Sequence, residues 1–199
     1  MPKASGFASG STFEGEGEKA PTMTSLSASL AAYASGMDRD TPEALFLQKL
    51  LAARSATDVL QDYCAIEGET IRVEQMAGDV PPLPPPPLPE PLRQALGVGS
   101  EERIAHRRVR LVCAGQVFSE ADNWYLADRL TPEMNAALLH GDTPFGRIVA
   151  PLNPYRHTLD AAAADAPYFL KVTAILRAEN GQPLSAVIEF YQKAVLGPA

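Results

Sequence analysis

Two periodicities divide the chain. Alternation of apolar and polar positions, the mark of a half-buried strand, runs through Thr70 to Met76, Arg107 to Cys113, Val117 to Leu126, Tyr155 to Ala161, Tyr168 to Ala178 and Leu184 to Val195. Helical spacing instead lines up Ala44, Leu47, Leu50 and Leu51, then Val59, Leu60 and Tyr63. Start signals stand ahead of both stripes: Asp40-Thr41-Pro42-Glu43, read as an Asp cap with Pro in the first turn, and Ser55-Ala56-Thr57-Asp58. Thr131-Pro132-Glu133 opens a further helix carrying Met134, Ala137 and Leu138, and Thr143-Pro144 starts a short helical turn near Phe145. Ala114-Gly115-Gln116 and Asn180-Gly181 supply turns, the second being a strong two-residue hairpin signal. Antiparallel hairpins with helices at one end and in one middle crossover predict an α+β domain built on a single sheet.

The pattern fades at two places. Residues 1 to 38 are rich in Gly, Ser, Ala and Glu, with few large apolar side chains to offset the entropy of ordering, so a flexible tail is expected there and a folded domain over residues 39 to 199. From Pro81 to Pro91 the sequence PPLPPPPLPEP fixes an extended path that excludes helix and central strand. A stiff connector within the domain is the expectation for it, with contact to a partner protein the weaker alternative.

Composition narrows the function classes. Hydrophobic residues are 46% and charged residues 21%, ordinary for a globular chain, and a net charge of −7 argues against a general nucleic-acid binder. No run reaches the roughly 18 apolar residues of a membrane span, and the first residues lack the apolar stretch of an export signal, so the cytoplasm is the default. Cys64 and Cys113 stand far apart without framework spacing, and reduced, half-buried thiols are expected.

Candidate chemistry comes last. Arg108 and Arg110 share one face of a strand, where paired guanidinium groups suit a carboxylate; on spacing alone a solvated basic face is commoner. Glu189 sits in the apolar strand Ser185 to Tyr191 and must either face water or be buried with a partner, and burial raises a carboxyl toward the range of a general acid. An ion pair with Arg108 or Arg110 is the bland reading of the same contact. His106, His140 and His157 have no ligand spacing, so no metal is expected. Gly97-Val98-Gly99 lacks the third glycine and the context of a nucleotide fingerprint, and no serine sits in a nucleophile elbow.

Taken in order, Ser55-Ala56-Thr57, Arg108 five residues ahead of Cys113-Ala114-Gly115, Thr143-Pro144-Phe145-Gly146-Arg147, and Glu189 resemble the chorismate pyruvate-lyase family over about Ser55 to Val195. The resemblance extends to the fold that this family shares with ligand-sensing domains of some transcription regulators. It implies an antiparallel sheet of about six strands, with helices covering one face and an internal ligand cavity. It also implies cleavage of chorismate, or a close relative, to 4-hydroxybenzoate and pyruvate without cofactor. In that reading Arg108 grips a carboxylate, Glu189 is the acid, and Phe145, Ala56 and Arg110 shape the substrate site. The family usually has Leu at position 145, Met at position 56 and an apolar residue at position 110, so the substrate site is reshaped here. The alternative is a non-catalytic binder or sensor of an aromatic carboxylic acid. Both readings expect Arg108 and Glu189 to meet inside one closed, mostly apolar chamber.

Overall fold

The computed structural model describes residues 23–64, 68–75, 86–99 and 101–197. Six strands form one antiparallel sheet: β1 (Arg72–Gln75), β2 (Ile104–Cys113), β3 (Gln116–Leu126), β4 (Tyr155–Ala163), β5 (Tyr168–Arg177) and β6 (Pro183–Gln192), in the order β1-β2-β3-β6-β5-β4. The last strand therefore inserts at the centre and joins the two hairpins. The β2–β3 and β5–β6 hairpins turn where the sequence signals them. Ala114 and Gly115 both take left-handed conformations, φ 48° and 80°, as a primed two-residue turn requires. At the other turn Gly181 has φ 84°, and its N–H donates to Ala178 O at 2.8 Å.

Among the described residues six α-helices flank the sheet: α1 (Met23–Gly36), α2 (Pro42–Ala52), α3 (Ala56–Tyr63), α4 (Glu90–Leu96), α5 (Pro132–His140) and α6 (Phe145–Ile148). Capping follows the polar starts with one shift. Thr41, not Asp40, caps α2, accepting from the Ala44 N–H at 3.3 Å, because Pro42 already occupies the first turn. Ser55 caps α3 through the Asp58 N–H and Thr131 caps α5 through the Met134 N–H. On one face of the sheet, Val109, Leu111, Ala121, Val172, Ala174 and Val187 bury against Phe46, Leu47 and Leu50 of α2 and Leu60 of α3. On the other face, α4 sets Leu92 and Leu96 on Trp124, Ile175 and Ala186. The α5 helix closes one end, packing Met134 and Leu138 with Tyr125 and Val149.

Three expectations are corrected. Part of the stretch read as a tail forms α1, whose Leu30 and Tyr33, with the following Met37, pack on the main core; residues 1–22 lie outside the described residues. The Ala-rich composition of this segment hides three large apolar groups that reach the sheet only in three dimensions. Cys64 and Cys113 form a disulfide, Cα atoms 5.8 Å apart, because the end of α3 lies over the end of β2. A separation of 49 residues in sequence said nothing about that approach. Finally, Glu90 and Pro91 open α4 instead of extending the proline path, Pro being admissible in a first turn. Residues 81–85 of that path are outside the described residues, and the Pro86 carbonyl accepts from the Trp124 indole N–H at 3.0 Å. Among the described residues, no helix is long and apolar enough to cross a membrane.

Candidate functional site

A cavity lies between the inner face of the sheet and the α3 and α6 helices, with about 60 Å³ open to the centres of water molecules. One water needs roughly 10–15 Å³ by that measure, so the space admits a group of several heavy atoms. Its walls are mainly apolar: Val73, Val109, Leu111, Ala121, Leu176, Val187 and, from the lid side, Ala56, Pro144 and Phe145. Gly146 brings the lid against α3: a Cβ there would be in ordinary van der Waals contact, 3.4 Å from Ser55 Oγ and 3.6 Å from Thr57 Oγ1.

Polar groups enter from the sheet. Arg107, on β2, shares the phase of Val109 and Leu111 and is buried. Its Nη1 and Nη2 donate to the carbonyls of Thr143 (3.3 Å) and Gly141 (3.1 Å), while Nε has no hydrogen-bond partner. Those carbonyls belong to the α5–α6 connection, which is also held from β1 by the Val73 N–H donating to Asp142 O at 2.9 Å. Burial lowers the pKa of the Arg107 guanidinium and raises that of the nearby Tyr125 phenol.

At the other side of the cavity Glu189 of β6 is paired with Arg156 of β4, and Tyr191 donates its hydroxyl to the same Glu189 oxygen at 2.9 Å. Burial, the largest influence, opposes the charge of Arg156, but the Glu189 charge, the Tyr191 phenol and the hydrogen bond to Glu189 together hold the guanidinium pKa above its ordinary value. Burial, followed by the Glu189 charge, pushes the Tyr191 phenol well up, so it is a hydrogen-bond donor at any ordinary pH. Asn123 and Ser185 add polar groups from the sheet, and Arg54, Ser55 and Thr57 add them from the lid side.

The fold brings Ala56, Phe145 and Glu189 to this cavity but not Arg108 or Arg110. Both arginines point from the opposite face of the sheet. Arg108 is about half exposed with Nε 3.9 Å from Asp122, which also contacts His106 Nε2 at 2.9 Å, and Arg110 pairs with Glu120 at 3.2 Å. The expected meeting of Arg108 with Glu189 does not occur. Register explains it: Arg108 faces Asp122 and Ala121 faces Glu189, so the two lie in opposite phases. The sequence reading missed Arg107, Asn123, Arg156 and Ser185. A signal for Arg107 was present, since 107, 109, 111 and 113 read Arg-Val-Leu-Cys and form the apolar phase of the strand. Arg156 gave none, because a bulge between Thr158 and Asp160 changes the phase of β4. Among the described residues, no group of three or more His, Cys, Asp or Glu is arranged to hold a metal ion.

These residues build an antiparallel α+β domain with a lidded cavity in its sheet, apolar in the walls and cationic at one side. No protein-family model matches the chain. A protein of Sinorhizobium fredii (strain NBRC 101917 / NGR234), described as uncharacterized protein y4mC, is 34% identical over 175 residues, covering 74% of this chain and 72% of that one. The chain belongs to the family of that protein. Among solved structures, the effector domain of PhnF from Mycobacterium smegmatis is similar at 13% identity and TM-score 0.49, over 70% of this chain and 89% of that chain. The possible transcriptional regulator YydK from Bacillus subtilis is similar at 17% identity and TM-score 0.44 over 66% of this chain, which spans 62% of YydK. A GntR-family transcriptional regulator from Enterococcus faecalis V583 is similar at 13% identity and TM-score 0.39, over 64% of this chain and 94% of that one.

Proposed function

We propose that the cavity reversibly binds a small organic acid, and that the protein is a binder or sensor of that acid. The observation that carries this is Arg107. A buried guanidinium costs free energy unless a counter-charge or full hydrogen bonding offsets its lost hydration. Arg107 has only two carbonyls, with Nε unpaired and no carboxylate against it among the described residues. Its Nη atoms are pinned by the α5–α6 connection, which leaves Nε–H, in a side chain that lines the cavity, for a ligand. A carboxylate accepting from Nε–H and a neighbouring Nη–H makes the bidentate pair that this fork fits. The apolar walls suit a hydrocarbon or aromatic body.

Turnover of chorismate by the same cavity is the second reading, favoured by the burial of Glu189 beside it. It requires a carboxyl that delivers a proton to a leaving oxygen. Glu189 is instead engaged as the acceptor of Arg156 and Tyr191, a partnership that ties β4 to β6, so binding ranks above catalysis.

Thermal unfolding with benzoate, 4-hydroxybenzoate and chorismate, together with a pyruvate assay, tests both. A hundredfold excess over Kd is expected to stabilise the fold by about 2.7 kcal/mol, roughly 5–10 °C in a chain of this size. Arg107→Met is expected to lose at least tenfold in affinity while remaining folded. Melting unmoved by every acid overturns the proposal; pyruvate released from chorismate by the native chain, and lost in Glu189→Gln, replaces binding with turnover.

A further inference from the structure

We propose that the acid taken by this cavity is a monoanion that also carries an uncharged hydrogen-bonding group, a hydroxyl above all, and that this group docks on a second polar subsite made by Asn123, Ser185 and Arg156. The inference rests on the carboxylate reading above and assigns the other end of the ligand.

Three buried atoms with no hydrogen-bond partner carry it: Asn123 Oδ1, Ser185 Oγ and Arg156 Nε. Asn123 is 5% exposed, Ser185 0%, and the Arg156 side chain 2%, and all three line the same cavity as Arg107. Such atoms are nearly always satisfied in a folded protein, so three around one space point to a ligand or to water that a ligand displaces. Strand register makes them one feature. Arg107 faces Asn123 across β2 and β3, Asn123 faces Val187, two residues along β6 from Ser185, and Leu176 of β5 pairs with both Ser185 and Arg156. The result is a polar belt across the sheet that begins at Arg107. Asn123, Ser185 and Arg156 come from β3, β6 and β4, one, two and four strand spacings of about 5 Å from β2, so the belt runs away from Arg107 and the ligand's carboxylate and second group are separated by several bonds.

Chemistry then selects the group. Asn123 Oδ1 needs a donor, Arg156 Nε needs an acceptor, and Ser185 Oγ serves as either. A hydroxyl donates and accepts at once. A second carboxylate does not fit, because the charge of Arg156 is already matched by Glu189 and an added anion there faces the Glu189 carboxylate in a low-dielectric space. Arg54 also borders the cavity, but it is exposed and its Nη2 is committed to Asn153 and the Pro154 carbonyl, so it gives an incoming dianion only a solvent-screened charge.

Calorimetric titration of the full chain with benzoate, 3-hydroxybenzoate, 4-hydroxybenzoate and terephthalate tests this. One hydroxybenzoate is expected to bind at least tenfold tighter than benzoate, and terephthalate at least tenfold weaker than that hydroxybenzoate. Ser185→Ala is expected to pull the hydroxybenzoate-to-benzoate ratio toward one. Glu189→Gln, where it folds, is expected to narrow the gap to terephthalate. If the native chain binds benzoate or terephthalate as tightly as both hydroxybenzoates, the second subsite is refuted while the organic-acid reading stands. If none of the four binds, both fall together.

Discussion

Adjacent residues with the same side chain can have opposite fates, and Arg107 and Arg108 are such a pair. One is buried in the cavity and the other stands in solvent on the far face, because successive strand residues alternate between faces. Asp160 makes the same point for a carboxylate. It lies next to the β4 bulge with Oδ1 buried and unpaired, and burial raises its pKa above the ordinary 3.8, only partly countered by the Ala161 N–H and by Lys171. The folded chain therefore holds this proton more tightly than the unfolded chain, and stability falls as pH rises from 3.8 through the raised value. Asp160→Asn is accordingly expected to melt a few degrees higher than the native chain at pH 7, the gain shrinking as pH falls below about 4. Paired melting curves across pH 3 to 7 measure it.

At the level of elements, α3 has two duties. Its N-terminal residues Ser55, Ala56 and Thr57 line the cavity, and its C-terminal Cys64 is tied to Cys113 at the end of β2. The lid over the cavity is thus fastened to the strand that carries Arg107. Closing a loop of 49 residues removes chain entropy worth about 4 kcal/mol from the unfolded state. Reduction, or Cys113→Ser, is expected to lower the urea midpoint by an amount corresponding to about 2–4 kcal/mol, with the fold retained. Ellman titration showing two free thiols in the native, unreduced chain would remove the basis of that expectation.

At the scale of the whole molecule, a buried pair joins distant parts of the sheet. Arg156 comes from the edge strand β4, Glu189 and Tyr191 from the central β6, and β5 lies between them. A buried pair adds little net stability when intact, but removal of one partner strands a charge. Arg156→Met is expected to cost about 3–5 kcal/mol, and the double variant Arg156→Met, Glu189→Met clearly less, both read by urea unfolding. Equal losses in the two would mean that the pair is not coupled.

What the sequence determined by itself is the set of elements: six alternating stretches, three capped helices, the turns at Ala114-Gly115 and Asn180-Gly181, and the α+β class. Period, caps and turn residues act within a few neighbours, so they can be read without knowing what lies across the sheet. Through the resemblance it also named Ala56, Phe145 and Glu189, which line one cavity. The tertiary structure alone decided which arginines accompany them. Arg107 is inward because its strand's apolar phase packs on α2 and α3, and Arg156 is inward because a bulge at Thr158 and Asp160 shifts the phase of β4. Pairing register and bulges are set by contacts between residues distant in the chain, and a one-residue change of phase moves a side chain from solvent to core.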